Sequence, residues 1–170
     1  RMAQYKEFHA RSIKAPAGFW AEQAAPIDWK TPFTQVLDYS RPPFAKWFVG
    51  GRTNLCHNAV DRHLANLGDS PALIYLSNET GQAKIYTFRQ LYREVNRMAG
   101  ILKGLGVGKG DRVLIYMPMI AEGTFAMLAC ARIGAIHSVV FGGFASVSLA
   151  TRIDDAKPKL IVSADAGSRA

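Results

Sequence analysis

The chain has 170 residues, 49% hydrophobic and 20% charged, with 21 basic against 13 acidic groups and a formal charge of +8. That length suits one ordinary hydrophobic core, and without any apolar run of about 18 residues no membrane-spanning helix is expected. The positive excess is spread, +4 over residues 1–60, +3 over 61–120 and +1 over 121–170, so charge alone does not make a nucleic-acid-binding protein of it.

The opening stretch, RMAQYKEFHARSIK, is charged throughout and lacks the apolar centre of a secretory signal. Its spacing of Tyr5, Phe8 and Ile13 predicts a helix over residues 4–14, ended by Pro16, and a second short helix is expected over 17–25. From Pro26 to Gly51 four prolines alternate with Trp29, Phe33, Phe44, Trp47 and Phe48. Proline resists regular ladders while the rings seek burial, so an extended segment lying on another surface is expected. Residues 1–52 are read as an N-terminal arm.

Regular elements follow over 53–170, read as an α/β portion. TNLCHNAVDRHLANLGD carries apolar residues at helical spacing up to Gly68. PALIYLS and AKIYTF, either side of NETGQ, predict a β-hairpin. Thr87 is placed to cap a long helix running to about Lys103. RVLIYMP then reads as a strand covered on both faces, followed by helix, strand (AIHSVVF), helix (SVSLATRIDDAK) and strand (KLIVS). The alternation predicts βαβαβ, a parallel sheet with right-handed crossovers.

Two glycine clusters invite comparison. GLGVGKGD (residues 104–111) follows a helix and opens a strand, the wrong polarity for a phosphate loop, and Lys109 is followed by Gly110 rather than Ser or Thr. It is expected to be a helix stop and turn. VVFGGF has the right polarity: Gly142 and Gly143 close a strand and precede a helix, with Phe141 and Phe144 as apolar flanks. In open α/β sheets ligands gather outside such strand ends, although a plain strand-to-helix turn would look the same. In ADAGSRA, Arg169 stands at the corresponding end of the next strand. It is either a cation for a phosphate or the partner of Asp165.

The remaining titratable residues assemble no reaction centre. His9, His57, His63 and His137 share no ligand spacing, Asp154 and Asp155 fall on a polar helix face, and Cys56 and Cys130 sit in apolar helical patterns. Buried, reduced thiols and a cytoplasmic protein are expected. Arg89, Arg93 and Arg97 share one helix face, read as solvated.

MPMIAEGTFAMLACARIGAIHSVVFGGF, followed by RIDDAKPKLIVSADAGSRA, resembles the acetyl/propionyl type of acyl-CoA synthetase in the adenylate-forming superfamily. The resemblance runs through the whole chain, including Phe19–Trp20 and GDRVLIYMPM. LDYSRPPFAKWFVGGRTNLCHNAVDRHL and IDDAKPKLIVSADAG lie closer to the propionyl-CoA than to the acetyl-CoA members.

The resemblance implies the N-terminal part of the large domain of such an enzyme. Its reaction joins propionate to CoA at the expense of ATP, with Mg2+, through an acyl-adenylate that releases pyrophosphate and then AMP. It places Phe141, Gly142, Gly143 and Arg169 at the CoA site and no catalytic or metal residue in this chain. The phosphate loop, adenine and acyl pockets, catalytic lysine and a second CoA-phosphate arginine are expected beyond Ala170, so the 170 residues alone are expected to be inactive. Acetyl-CoA synthesis is the near alternative. A free-standing α/β module binding a phosphate or nucleotide is the alternative of another class.

Overall fold

In the computed structural model, residues 2–143 and 145–167 are described. They fall into two compact units, one ending at Asn54 and one beginning at Leu55.

The first unit holds helices α1 (Met2–Lys14) and α2 (Pro16–Ala24) and an antiparallel hairpin of β1 (Gln35–Arg41) and β2 (Phe44–Val49). Pro16 starts α2, where no intrahelical N–H is needed. The expected extended segment is therefore a hairpin in its second half. The reason is positional: Pro42 and Pro43 occupy the turn, outside the ladder that pairs Leu37 with Trp47 and Asp38 with Lys46. The rings pack on one another, with Phe8 against Phe19 and Trp29 against Phe33 and Phe48, at centroid separations of 4.6–5.5 Å. The Trp29 indole donates to the Ala24 carbonyl.

The second unit opens with α3 (Leu55–Ala59), a 3-10 turn at 61–63 and α4 (Leu64–Leu67). The apolar spacing predicts one continuous helix here, and the structure breaks it. Val60 leaves helical geometry (φ −128°, ψ −62°), and the Asp61 carboxylate beside it accepts from the Arg132 guanidinium. A hairpin follows, β3 (Pro71–Leu76) with β4 (Ala83–Thr87).

Helix α5 (Phe88–Gly104) begins at Thr87, the cap expected from the sequence, which here forms a capping box. The Gln90 amide donates to the Thr87 hydroxyl, and the Gln90 side chain accepts from the Thr87 amide. Its Leu91, Val95, Ala99 and Leu102 are buried at helical spacing.

Strand β5 (Arg112–Met117), helix α6 (Ala121–Ile133), strand β6 (Ile136–Phe141), helix α7 (Ser146–Ala156) and strand β7 (Leu160–Ser163) complete the chain. The three strands are parallel in the order β6-β5-β7. Because β6 lies on one side of β5 and β7 on the other, right-handed crossovers carry α6 and α7 over opposite faces. The core gathers Val113 and Ile115 of β5, Phe125, Ala126, Ala129 and Cys130 of α6, the buried stripe of α5, and Cys56, Val60 and Tyr86. Each large aliphatic side chain buried there contributes about 1.5–3 kcal/mol.

Both cysteines are buried and unpaired by disulfide, as expected. Burial raises the Cys56 thiol above its ordinary value and pushes Cys130 up to about 11, which disfavours the reactive thiolate at both. Arg132 ties α6 to the 3-10 turn through Asp61 and lies over the Tyr92 ring.

At the amino ends of the strands, polar contacts fix the sheet to its connections. Arg112 donates to the Ala156 and Lys157 carbonyls at the end of α7. Asp111 accepts from the Gly108 amide and from Lys159. Helix α6 ends at Gly134, whose φ of 75° is left-handed. The Ala135 amide returns there to the Cys130 carbonyl.

Candidate functional site

The carboxyl ends of β5, β6 and β7 open onto one cleft of about 710 Å³. Its floor follows from the register, which sets Tyr116 beside Val140 and Ser163, and Met117 beside Phe141. Around it stand Pro118–Ile120 after β5, Phe141–Gly143 after β6 and Ser163–Gly167 after β7. A fourth wall comes from the end of the β3–β4 hairpin, Tyr75–Thr80. The order β6-β5-β7 puts the topological switch at β5/β7, where doubly wound sheets hold ligands.

Of the residues singled out from sequence, Phe141, Gly142 and Gly143 line this cleft. Phe141 is 55% exposed, as are Ile136 (55%) and Val139 (57%) of the same strand. Gly142 is required by the sheet itself: a Cβ there would lie 2.8 Å from the Met117 carbonyl oxygen, so only glycine lets β6 end this close to β5. Phe144 and Arg169 lie outside the described residues.

The ends of β6 and β7 are not direct neighbours: β5 lies between them, and they face the same cleft from either side of it. Asp165 accepts from the Ala166 amide, a local contact that shapes the loop after β7.

The other glycine cluster lies at the opposite end of the sheet. Its amides serve the fold: Gly106 donates to Lys103, Gly108 to Asp111 and Gly110 to Gly134. No phosphate cradle is left there, in keeping with its polarity in the sequence.

Two arginines of the α5 face have acidic neighbours, Arg89 beside Asp69 and Arg97 within 4.0 Å of Glu94. Among the described residues no cluster of His, Cys, Asp and Glu could hold a metal ion, and no helix is long and apolar enough to cross a membrane.

Sequence reasoning missed the hairpin end. Its alternation and turn residues predict the hairpin but not its destination, which depends on how the hairpin packs on α5.

The described lining joins apolar groups (Met117, Met119, Ile120, Phe141) to polar ones (Ser77, Asn78, Thr80, Tyr116, Ser163). Its charged members, Glu79 and Asp165, are both acidic. Such a lining, apolar with a few polar groups, has the general character of a small-molecule site. A phosphate would need a cation from elsewhere.

Comparison with known proteins returns two family models that together span nearly the whole chain. Residues 5–59 match the acetyl-coenzyme A synthetase N-terminus, and residues 60–170 match the AMP-binding enzyme model. The chain is 66% identical over 165 residues to a propionate–CoA ligase of Escherichia coli, covering 97% of this chain and 26% of that protein. An acetyl-coenzyme A synthetase of Methylorubrum extorquens is 51% identical over 170 residues, covering 98% of this chain and again 26% of that protein. Among solved structures, an acetoacetyl-CoA synthetase from Streptomyces lividans superposes with a TM-score of 0.84 at 30% identity, covering 91% of this chain and 24% of the other. The chain thus spans about a quarter of the length of the curated relatives it matches.

Proposed function

Because the chain belongs to the AMP-binding enzyme family, with the acetyl-coenzyme A synthetase N-terminus ahead of that domain, we propose that it is the N-terminal, thiol-side portion of an AMP-forming acyl-CoA synthetase acting on propionate. The reaction has two halves. The carboxylate attacks the α-phosphate of ATP, assisted by Mg2+, giving an acyl-adenylate and pyrophosphate. The CoA thiol then attacks the acyl carbon and AMP leaves.

The observation that carries this reading is the cleft at the carboxyl ends of β5, β6 and β7, in a chain 66% identical to a propionate–CoA ligase. Its size and mixed lining fit the thiol-bearing arm of CoA. Phe141 offers the arm an apolar wall, and Gly142 and Gly143 let it run close to the backbone. Arg169, following the loop after β7 in sequence, is the cation proposed for a CoA phosphate. ATP and Mg2+ would be held by residues outside this chain. The preference for propionate over acetate rests on identity, 66% and 65% to two propionate–CoA ligases against 51% and 53% to two acetyl-coenzyme A synthetases.

The test is CoA-dependent release of AMP from ATP by the intact enzyme, with acetate, propionate and butyrate compared. Fastest release with propionate is expected. Fastest release with acetate would correct the substrate, and no release with any of the three would overturn the ligase reading.

A further inference from the structure

The cleft's fourth wall comes from outside the parallel sheet. The end of the β3–β4 hairpin is a built turn. Ser77 donates its amide to the Gln82 carbonyl, the Thr80 amide donates to the Ser77 hydroxyl, and the Gln82 amide reaches the Thr80 hydroxyl oxygen. These bonds consume the polar groups that shape the turn. Asn78 and Glu79 remain exposed on the cleft.

Among the described lining residues, charge is one-sided. No Lys, Arg or His belongs to its described lining, whereas Glu79 stands on the hairpin wall and Asp165 on the wall after β7. An anionic ligand head therefore meets repulsion at the hairpin side, and an uncharged amide-bearing segment does not. Asn78 offers such a segment both a donor and an acceptor.

We propose that the β3–β4 turn is a specificity wall of the thiol cleft: Asn78 hydrogen-bonds the uncharged arm of the thiol substrate, and Glu79 keeps its phosphates away from this side. The inference rests on the CoA reading above and assigns a role to residues that reading does not use. Like charges at a solvent-exposed rim act mainly by biasing approach and orientation, so the effects are modest in size.

The test uses the intact enzyme and two thiols, CoA and pantetheine, the second having the arm without the nucleotide phosphates. In Glu79→Lys the KM for CoA should fall about two- to fivefold relative to that for pantetheine, the range an exposed charge pair supports. Glu79→Gln should move the same ratio in the same direction by less. Asn78→Ala should raise KM for both thiols together and leave their ratio where it was. Unchanged constants in all three variants would overturn the proposal, as would equal shifts for both thiols in Glu79→Lys. Loss of thiol-dependent turnover in the unsubstituted enzyme would instead overturn the CoA reading, and this proposal with it.

Discussion

A Cβ on Gly142 would approach the Met117 carbonyl oxygen to 2.8 Å and the Met117 carbonyl carbon to 3.0 Å, both backbone atoms that cannot swing aside. Gly142→Ala in the intact enzyme should therefore lower stability by about 1–3 kcal/mol, the usual cost of overpacking, and raise KM for the thiol by moving Phe141. Gly123 supplies the control, because a Cβ there meets nothing within 4 Å and it lies inside α6. Gly123→Ala should be neutral or stabilising by up to about 1 kcal/mol. Thermal unfolding of the two variants side by side checks both. At this scale Phe141, Gly142 and Gly143 were legible because strand, glycine and helix follow one another in sequence, and that order alone fixes which sheet end they occupy. Asn78 and Glu79 were not. A turn's sequence specifies its own bend, whereas its distance from β5 depends on packing through α5, which no local pattern encodes.

Elements were legible where one force dominated. The Thr87 cap of α5, the continuous apolar run of β5 and the turn at residues 104–111 each follow from a few adjacent residues. The β1–β2 hairpin was not, because prolines argue against strands only when they fall within the ladder, and here they fall in the turn. The helix expected over 53–67 gives way at Val60, where Asp61 is held by Arg132 from α6, some seventy residues away. The connections into β5 and β7 are held by Asp111, whose pKa lies below the ordinary 3.8, chiefly through the Gly108 amide and then through Lys159. A depressed folded-state value means that the stabilisation is present above the unfolded pKa and is lost as pH falls through the folded one. The intact enzyme should accordingly lose melting temperature more steeply than Asp111→Asn on acidification from about pH 5 to about pH 3. Parallel curves for the two proteins would release Asp111 from this role.

At the scale of the whole molecule, the described residues form a cleft at the strand ends but no phosphate loop: in the cluster at 104–111 the amides of Gly106, Gly108 and Gly110 are engaged by the fold. The 170-residue chain by itself should therefore show no acid-dependent exchange of pyrophosphate into ATP, and measurable exchange would mean that an adenylating site exists within it. The order β6-β5-β7 has a further consequence. Strand β5 is paired along both sides, with Val113, Leu114 and Ile115 almost completely buried, while β6 and β7 are each paired on one side among the described strands. Fraying of one outer strand frees only the β5 amides that face it, and the middle strand as a whole opens only when both neighbours have left. Amide protons of β5 should thus on average exchange with deuterium later than those of β6 and β7, so the floor of the cleft persists through fluctuations that loosen its walls.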